Sequence, residues 1–300
     1  MSPESSQGRG ALHILTGCTG SGKSDWALNW AAGRGAEIVS CDSLLFYRGM
    51  DIGTAKPAAA DRARVPHHLV DILDVTEGMD VTRYVALARE AVAAIAARGR
   101  PAIVVGGSGF YLKSFFGAVA DTVPVSPALR EEVARRLDAG GLPGLVGELR
   151  RRNPDGLGRL DTANPRRVAR ALERCLASGK TLRELAEDFA RQPGPFDGWA
   201  IRLMRLERDP AELNGRIEAR VAAMLAAGLV DEVRALLAAG LEGNPSAARA
   251  IGYREVIDML QGRLAAADLP AAIARNTRAL VKKQRTWFRT QLPAQEVISG

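Results

Sequence analysis

This chain of 300 residues has little cysteine and no long apolar run. Cys18, Cys41 and Cys175 are too few and too scattered for a disulfide framework or a C-x-x-C zinc site, which is typical of a reducing compartment. No segment approaches the roughly 18 apolar residues that a membrane-spanning helix needs. We therefore expect a cytoplasmic protein that has no structural metal and no membrane partner.

Acidic residues are in the minority, and the imbalance is uneven along the chain. There are 41 Lys and Arg against 34 Asp and Glu, a net charge of +7. Residues 1–120 hold 12 of these cations and 11 of these acids, so nearly all of the excess lies in 121–300. A polyanion such as nucleic acid selects such a surface, although many basic proteins bind none. Charge alone leaves this partner open.

One stretch carries a specific motif. Residues 17–24 fit the phosphate-loop (P-loop) pattern G-x-x-x-x-G-K-[ST] at every fixed position, between an apolar run and a helical pattern, as the motif requires. Its glycines let backbone N–H groups face one anion, while Lys23 adds a charge and the Ser24 hydroxyl can bind Mg²⁺. We predict that a diphosphate or triphosphate binds the whole loop: Gly17, Cys18, Thr19, Gly20, Ser21, Gly22, Lys23 and Ser24.

Strand and helix patterns alternate after this loop. Residues 36–41 and 101–105 indicate short buried strands, and 81–98 between them indicates an amphipathic helix. This order predicts an α/β fold, a P-loop-containing parallel sheet with helices on both faces and ligands at the carboxyl ends of its strands. Residues 122–197 indicate short helices with Gly and Pro breaks. We interpret them as an all-α insertion in a core formed by 1–121 and 198–300.

Three polar features adjoin the predicted strands and helices. Asp42 ends the second strand, and three roles are open to it. It supports bound Mg²⁺ without being a direct ligand, it acts as a general base, or it only caps a turn. The turn at 106–109 exposes Ser108, and its glycines either admit a ligand or only shape the chain. Arg216 and Arg220 share one helix face, and their spacing alone favours two solvated arginines over two anion clamps.

The last long helix is strongly basic. It holds six cations with no acid between them, five of which recur every three or four residues; the six are Arg275, Arg278, Lys282, Lys283, Arg285 and Arg289. Like charges in a stripe repel one another unless anions neutralise them. We therefore interpret this stripe as a contact for nucleic-acid phosphates rather than as a solvated face.

The residues alone leave several protein classes open. No apolar strand ends in a plain Walker-B arrangement beside a water-positioning residue, so hydrolysis is not the obvious reaction. A small-molecule kinase would use the same phosphate loop. A basic RNA-binding module whose loop binds a regulatory nucleotide is the second alternative.

Taken as a set, the motifs resemble the tRNA dimethylallyltransferases, the isopentenyltransferases that modify adenosine in tRNA. The resemblance covers nearly the whole chain, in family order, through residues 17–24, 42–43, 47–57, 67–72, 105–111, 164–173, 251–255 and 283–289. The run Asp-Ile-Gly-Thr-Ala-Lys-Pro at 51–57 is highly specific, whereas many unrelated NTPases share the phosphate loop.

The resemblance implies a reaction and a role for each site residue. The loop would bind the diphosphate of dimethylallyl diphosphate as a leaving group, with Mg²⁺ on Ser24 and with Arg220 as the family's arginine. Asp42 would take the N6 proton of the adenosine next to the anticodon on its 3′ side, and this base must be splayed out to reach the pocket. Ser108 stands where the family usually has threonine, and the hydroxyl is kept. Asp42, Ser108 and Arg220 are thus the expected catalytic residues.

The resemblance also implies contacts with the tRNA anticodon stem-loop, which the helical insertion would embrace. The expected contacts are Asp42, Ser43, Leu44, Leu45, Ser108, Arg130, Arg166, Arg167, Val168, Ala169, Arg170, Arg249, Gly252, Tyr253, Arg254, Arg278, Lys282, Lys283, Arg285 and Arg289. This chain has Leu45-Phe46 where the family often has Gln-Val, and Asn164 where it has aspartate. Both departures concern base readout rather than the diphosphate site. We expect a bacterial-type enzyme that acts as a monomer.

Overall fold

A computed structural model describes residues 9–120 and 123–299, and within them two compact units. One unit comprises the described parts of Met1–Gly117 and Pro195–Gly300, and the other is Ala118–Gly194. The sequence places the corresponding boundaries at 121 and 198. The first of these predicted boundaries lies outside the described residues.

The first unit is built on a six-stranded sheet in which every pairing is parallel. Its strands are β1 (Arg9–Gly17), β2 (Glu37–Ser40), β3 (His67–His68), β4 (Ala102–Val105), β5 (Trp199–Glu207) and β6 (Glu296–Ser299). Across the sheet the order is β3-β2-β4-β1-β5-β6. The segments that follow β2, β4, β1 and β5 therefore emerge side by side at one edge.

Helices cover both faces of this sheet, as predicted. In chain order the α-helices of the described residues are α1 (Lys23–Ala32), α2 (Ala59–Arg64), α3 (Val81–Ala97), α4 (Gly109–Lys113), α5 (Pro127–Arg152), α6 (Pro165–Ser178), α7 (Leu182–Ala190), α8 (Pro210–Ala226), α9 (Leu229–Ala238), α10 (Pro245–Ala248), α11 (Tyr253–Leu260) and α12 (Leu269–Gln291). Leu15 of β1 packs in a cluster with Ala27 of α1, whereas Leu12 and Ile14 pack in the cluster that includes α3. Among the described residues no helix is long and apolar enough to cross a membrane.

Capping side chains set where two of these helices begin. Asp80 accepts a hydrogen bond from the Arg83 N–H at 2.8 Å at the start of α3. Asp209 accepts the N–H of Ala211 at 2.8 Å at the start of α8. Each carboxylate satisfies an N–H group that has no partner within its helix. The start of α3 is confirmed as predicted, at residue 81.

The second unit consists of α5, α6 and α7 around its own apolar cluster, which includes Val133, Leu149 and Leu172. α5 is broken at Gly141, where φ is 63° and ψ is −179°, so the predicted glycine break is confirmed. Asn164 caps α6 by accepting a hydrogen bond from the Arg167 N–H at 3.2 Å. Asparagine and aspartate cap helices about equally well, so the family's aspartate is replaced here without loss of the cap.

An ion-pair cluster anchors the start of β2. Glu37 is 2% exposed and lies 2.6 Å from Arg98, 2.6 Å from His68 and 3.3 Å from Arg100. Burial by itself raises the pKa of Glu37, but hydrogen bonds from Arg98 and His68 outweigh burial and lower it to about 2. The charged form of Glu37 is therefore favoured in the folded state.

Glu37→Gln should lower the free energy of unfolding by about 3 kcal/mol, because Arg98 and Arg100 would then face a neutral group at a buried position. The folded-state pKa lies below the ordinary value of 4.5, so this stabilisation is present above that pH and is lost as the pH falls toward about 2. Urea unfolding of wild type and variant at neutral and at acidic pH checks both statements. Equal stability at neutral pH would contradict them.

Candidate functional site

The phosphate loop joins β1 to α1 at the carboxyl edge of the sheet. Gly22 has a φ of 92°, a left-handed conformation that side chains disfavour. A Cβ on Gly22 would also lie 3.3 Å from a guanidinium nitrogen of Arg208 and 3.4 Å from one of Arg216. α1 begins at the next residue, Lys23, and a helix N-terminus carries N–H groups without partners in the helix. The loop therefore has the form that an anion needs.

Three cations hold the carbonyl oxygens of this loop. The hydrogen bonds run from Lys23 Nζ to Cys18 O (2.8 Å), from Arg216 Nε to Gly20 O (2.9 Å) and from Arg208 Nε to Ser21 O (2.6 Å). Arg208 was not a sequence candidate, and only the pairing of β5 with β1 brings it here. With its carbonyl groups bonded to cations, the loop can turn amide groups toward a ligand.

Arg216 and Arg220 both line the cavity beside the loop, but Arg216 is exposed and Arg220 is half-buried, so the interpretation as two solvated arginines is wrong for Arg220. The buried side of α8 packs on Gly20, where a Cβ would lie 3.2 Å from Leu213. This packing turns the neighbouring helix face toward the loop. Burial lowers the pKa of the Arg220 guanidinium, and the nearby Asp42 carboxylate opposes that shift.

Lys23 is also poised for an anion. Burial lowers the pKa of its ammonium from 10.5 to about 8, while Asp42 raises it and Arg220 lowers it further. Lys23 and Arg220 are both partly removed from water, and the Asp42 carboxylate compensates for only part of the lost hydration. A bound diphosphate would supply the missing negative charge.

A cavity of about 920 Å³ opens at this edge of the sheet. The loops after β1, β2 and β4 line it together with α8 and α12. Its volume lies within the range of small-molecule and cofactor sites. The predicted site residues that line it are Thr19, Gly20, Gly22, Lys23, Ser24, Asp42, Ser43, Leu44, Leu45, Ser108, Arg220, Arg249 and Lys283.

Asp42 and Ser108 follow the neighbouring strands β2 and β4 and are tied into one structure. The Leu44 N–H donates to Asp42 Oδ1 at 3.0 Å, and the Ser43 N–H donates to Ser108 Oγ at 3.0 Å. Among the described residues no group donates a hydrogen bond to the other carboxylate oxygen of Asp42. Asp42 can therefore cap the turn and also act in catalysis, because one carboxylate oxygen accepts the Leu44 N–H and the other is available to a substrate.

The glycine turn after β4 is shaped first by contacts within the protein. A Cβ on Gly106 would lie 2.0 Å from the Cys41 carbonyl oxygen, so only glycine lets β4 end against β2 here. Gly107 and Ser108 line the cavity, so the same turn also faces the site.

The donor set around Ser24 fits Mg²⁺ bound together with a phosphate. Ser24 is exposed in the first turn of α1 and lines the same cavity as Asp42. Over residues 9–120 and 123–299, no group of three or more His, Cys, Asp or Glu side chains could hold a metal ion. Mg²⁺ usually keeps several waters and takes further ligands from substrate phosphates, so the Ser24 hydroxyl, phosphate oxygens and waters together would complete its six ligands.

Three other predicted loop residues do not line the cavity. Cys18 is buried, and its Sγ lies 3.8 Å from the Val281 carbonyl oxygen of α12. Burial raises the pKa of the Cys18 thiol. Ser21 is also buried, and Gly17 ends β1. These three residues shape the loop from inside the protein.

Three predicted tRNA contacts are corrected because they are buried. The side chains of Val168 and Tyr253 have no exposed surface. Val168 belongs to the apolar cluster of the second unit, and the Tyr253 hydroxyl donates to Glu232 at 2.7 Å. Gly252 is buried as well, and its N–H donates to Glu255 at 2.7 Å. RNA contacts at these segments must come from their exposed neighbours.

Glu232 is a residue that the sequence did not single out. Its carboxylate accepts the N–H groups of Asp51 (3.0 Å), Ile52 (2.6 Å) and Gly53 (3.1 Å) as well as the Tyr253 hydroxyl. Gly53 lines the cavity. Glu232 therefore holds in place the segment 51–53, which contributes Gly53 to the wall of the cavity.

Glu232→Gln should speed hydrogen exchange at the amides of Asp51, Ile52 and Gly53 by about 10–100-fold, because a carboxamide accepts hydrogen bonds more weakly than a carboxylate. Exchange measured by mass spectrometry on the peptide that spans these amides tests this. Glu242→Gln, at an exposed glutamate bonded only to Gln261 among the described residues, is the matched control. Unchanged exchange in Glu232→Gln would refute the assignment.

The sequence shows no acid within the basic stripe of α12, but the fold brings one counter-charge to it. Arg278 pairs with Glu218 of α8, and Arg285 donates to the Arg208 carbonyl oxygen at 3.3 Å. Of the six cations of α12, those that make no ion pair with the described residues are Arg275, Lys282, Lys283, Arg285 and Arg289. Lys283 lines the cavity.

The remaining expected RNA contacts are mostly exposed. In the second unit, Arg130 and Arg166 are exposed, whereas Arg167 and Arg170 pair with Asp161 and Glu173. Ala169 is half-buried beside them. In the first unit, Arg254 pairs with the buried Glu255 at 2.7 Å.

The parallel sheet, the phosphate loop and the cationic cavity at its carboxyl edge define a protein of the phosphate-loop class. A sequence model of the IPP transferase family matches residues 45–291. Two relatives, both tRNA dimethylallyltransferases, extend the match. The protein from Opitutus terrae is 71% identical over 94% of this chain and 91% of its own length. The protein from Thermus thermophilus is 42% identical over 93% and 89%.

Solved structures agree with the sequence matches. A full-length tRNA isopentenylpyrophosphate transferase from Bacillus halodurans has a TM-score of 0.69 and 30% identity, covering 96% of this chain and 89% of its own. A eukaryotic dimethylallyltransferase acting on tRNA has a TM-score of 0.83 at 24% identity, covering 97% and 73%, and shows likeness of fold. This chain belongs to the IPP transferase family.

Proposed function

We propose that this protein transfers a dimethylallyl group from dimethylallyl diphosphate to N6 of the adenosine immediately 3′ of the anticodon in tRNA. The observation that carries the proposal is the shared cavity: the phosphate loop and the carboxylate of Asp42 face the same space in a member of this family. The reaction needs two functions at one site: binding of the diphosphate leaving group and acceptance of a proton.

The diphosphate binds against the loop and the N-terminus of α1. When the bond between the allylic carbon and the diphosphate oxygen breaks, the electron pair stays with the diphosphate and its negative charge rises. Lys23 and Arg220, both short of hydration in the free protein, stabilise that charge. Arg216 acts mainly through the loop, because its guanidinium donates to the Gly20 carbonyl oxygen.

Asp42 receives the proton. The N6 amine forms its new bond to the allylic carbon, and the carboxylate oxygen that carries no hydrogen bond from the described residues takes the N6 proton. Ser108 supports this geometry, because its Oγ accepts the Ser43 N–H beside Asp42. Phe110, 56% exposed at the same cavity, offers an apolar face for a splayed base.

Ser24 would hold Mg²⁺ on the diphosphate. The ion supplies charge neutralisation to the leaving group when it is bound. Asp42 lines the same cavity and would orient waters bound to the ion. We further propose that the protein acts in the cytoplasm as a monomer.

Incubation of the protein with tRNA and dimethylallyl diphosphate, followed by mass spectrometry of the digested nucleosides, tests the proposal. We expect adenosine at the anticodon-adjacent position to gain the mass of one dimethylallyl group in place of a hydrogen. A parallel incubation with labelled ATP addresses the kinase alternative. Phosphate transfer from ATP without prenylation would overturn the proposed function.

The cations of α12 should contribute unequally to tRNA affinity. Lys282→Ala should weaken binding and reduce the slope of log affinity against log salt by about 1, because this ammonium has no ion-pair partner among the described residues. Arg278→Ala should change the slope by less, because Glu218 already neutralises Arg278 in the free protein. Filter binding over a range of salt concentrations measures both slopes. Equal slopes for the two variants would refute the distinction.

A further inference from the structure

We infer that Gln284 is a positioning residue that couples the RNA-binding helix α12 to the phosphate loop. The inference rests on the proposed function and adds to it a link between the two substrate sites. Gln284 is not among the residues that the sequence assigned to either site.

The side-chain amide of Gln284 bonds to two separate parts of the site. Its Oε1 accepts the backbone N–H of Thr19 at 3.0 Å and the Thr19 hydroxyl at 3.3 Å. Its Nε2 donates to the Gly107 carbonyl oxygen at 3.3 Å. One carboxamide thus joins the phosphate loop to the turn that carries Ser108.

The protein leaves room for this amide. A Cβ on Gly107 would lie 2.8 Å from Gln284 Nε2, so the glycine allows the close approach. The arrangement needs an acceptor and a donor on one side chain of this length. Glutamate supplies no donor, and methionine supplies neither strong group at nearly the same length.

The position of Gln284 in the helix connects it to RNA binding. Lys283, one residue earlier, lines the cavity, and Lys282 has no ion-pair partner among the described residues. A tRNA that binds these two cations holds the same helical turn that holds Thr19. Binding of tRNA would then fix the helical turn whose Gln284 holds the Thr19 N–H, so we expect tRNA and the prenyl donor to bind cooperatively.

Gln284→Met should reduce kcat/KM for dimethylallyl diphosphate by about 10–100-fold, because the loop loses its bonds to α12 and holds the diphosphate less well. The affinity for tRNA in the absence of donor should stay within about twofold of wild type. Gln291→Met is the matched control, since this exposed glutamine on the same helix bonds only to Thr290 among the described residues. The control should behave like wild type in both measurements.

Calorimetry with the unreactive dimethylallyl thiolodiphosphate, with and without saturating tRNA, tests the coupling directly. In wild type, tRNA should raise the affinity for the analogue by about tenfold, and in Gln284→Met this factor should fall to near one. The absence of coupling in wild type, an unchanged factor in the variant, or a loss of tRNA affinity alone would each overturn the inference. The thermal unfolding midpoint of the variant should match that of Gln291→Met, and a large drop would assign Gln284 to folding instead.

The proposed function can fail separately from this inference. Prenylation of tRNA by wild type in the same reactions tests the function. If wild type modifies no tRNA, that proposal falls. The comparison of analogue affinity between Gln284→Met and Gln291→Met without tRNA then still decides whether Gln284 positions the loop.

Discussion

Replacing Asp42 by asparagine should slow prenyl transfer by about 10³-fold, because a carboxamide cannot take the N6 proton. The turn should survive, since asparagine Oδ1 can accept the Leu44 N–H as Asp42 Oδ1 does at 3.0 Å. Two quantities are measured: the single-turnover rate, with enzyme in saturating excess over tRNA, and the dissociation constant for tRNA. We expect that constant to stay within about twofold of wild type.

The control for Asp42→Asn is Asp231→Asn, at an exposed aspartate that pairs with Arg234 on α9. It should leave the single-turnover rate unchanged. If Asp42→Asn instead weakened tRNA binding and kept the rate at saturation, Asp42 would be a binding residue and the general-base role would be wrong.

Arg220→Gln should lower kcat by about 10²–10³-fold, because the leaving diphosphate loses a half-buried cation at the point where its charge develops. Arg216→Gln provides a matched comparison one helical turn away. Its effect should stay below about tenfold, since Arg216 donates to the Gly20 carbonyl oxygen and supports the loop from outside. Single-turnover rates at saturating donor give both values. A larger loss in Arg216→Gln than in Arg220→Gln would reverse the two roles.

The fold was largely predictable, because its signals are local. The phosphate loop, the apolar strands and the capping residues Asp80 and Asp209 each act within a few neighbouring residues, and the structure confirms the helix that the sequence indicates from residue 81. The parallel order then follows from the alternation of strand and helix. The edge strand β6 was not predicted, since Glu296–Ser299 is short and mostly exposed.

The site was predictable only where a residue directly follows a strand. Asp42, Ser108 and the loop meet because β2, β4 and β1 are neighbours in a parallel sheet. Arg208 and Gln284 contact the loop across 187 and 265 residues of sequence, and no local pattern reports such a contact. The same limit applies to Arg220, because helix spacing does not say which face packs toward the loop.

Burial also corrects inferences drawn from resemblance. Tyr253 lies in a segment that the family resemblance assigns to tRNA contact, yet its ring is buried and its hydroxyl bonds to Glu232. Its role is to support the wall at Gly53, where a Cβ would lie 2.5 Å from the ring. A motif residue can therefore serve the site by holding a loop rather than by touching the substrate.

The proposed function requires that the loop at 17–24 bind the diphosphate of an allylic donor as a leaving group. Crystals of the protein with dimethylallyl thiolodiphosphate and Mg²⁺ test it most directly. We expect diphosphate density against the loop amides, Lys23 and Arg220, with the allylic carbon on the side of Asp42. Density for the analogue at any other place in the protein would contradict it.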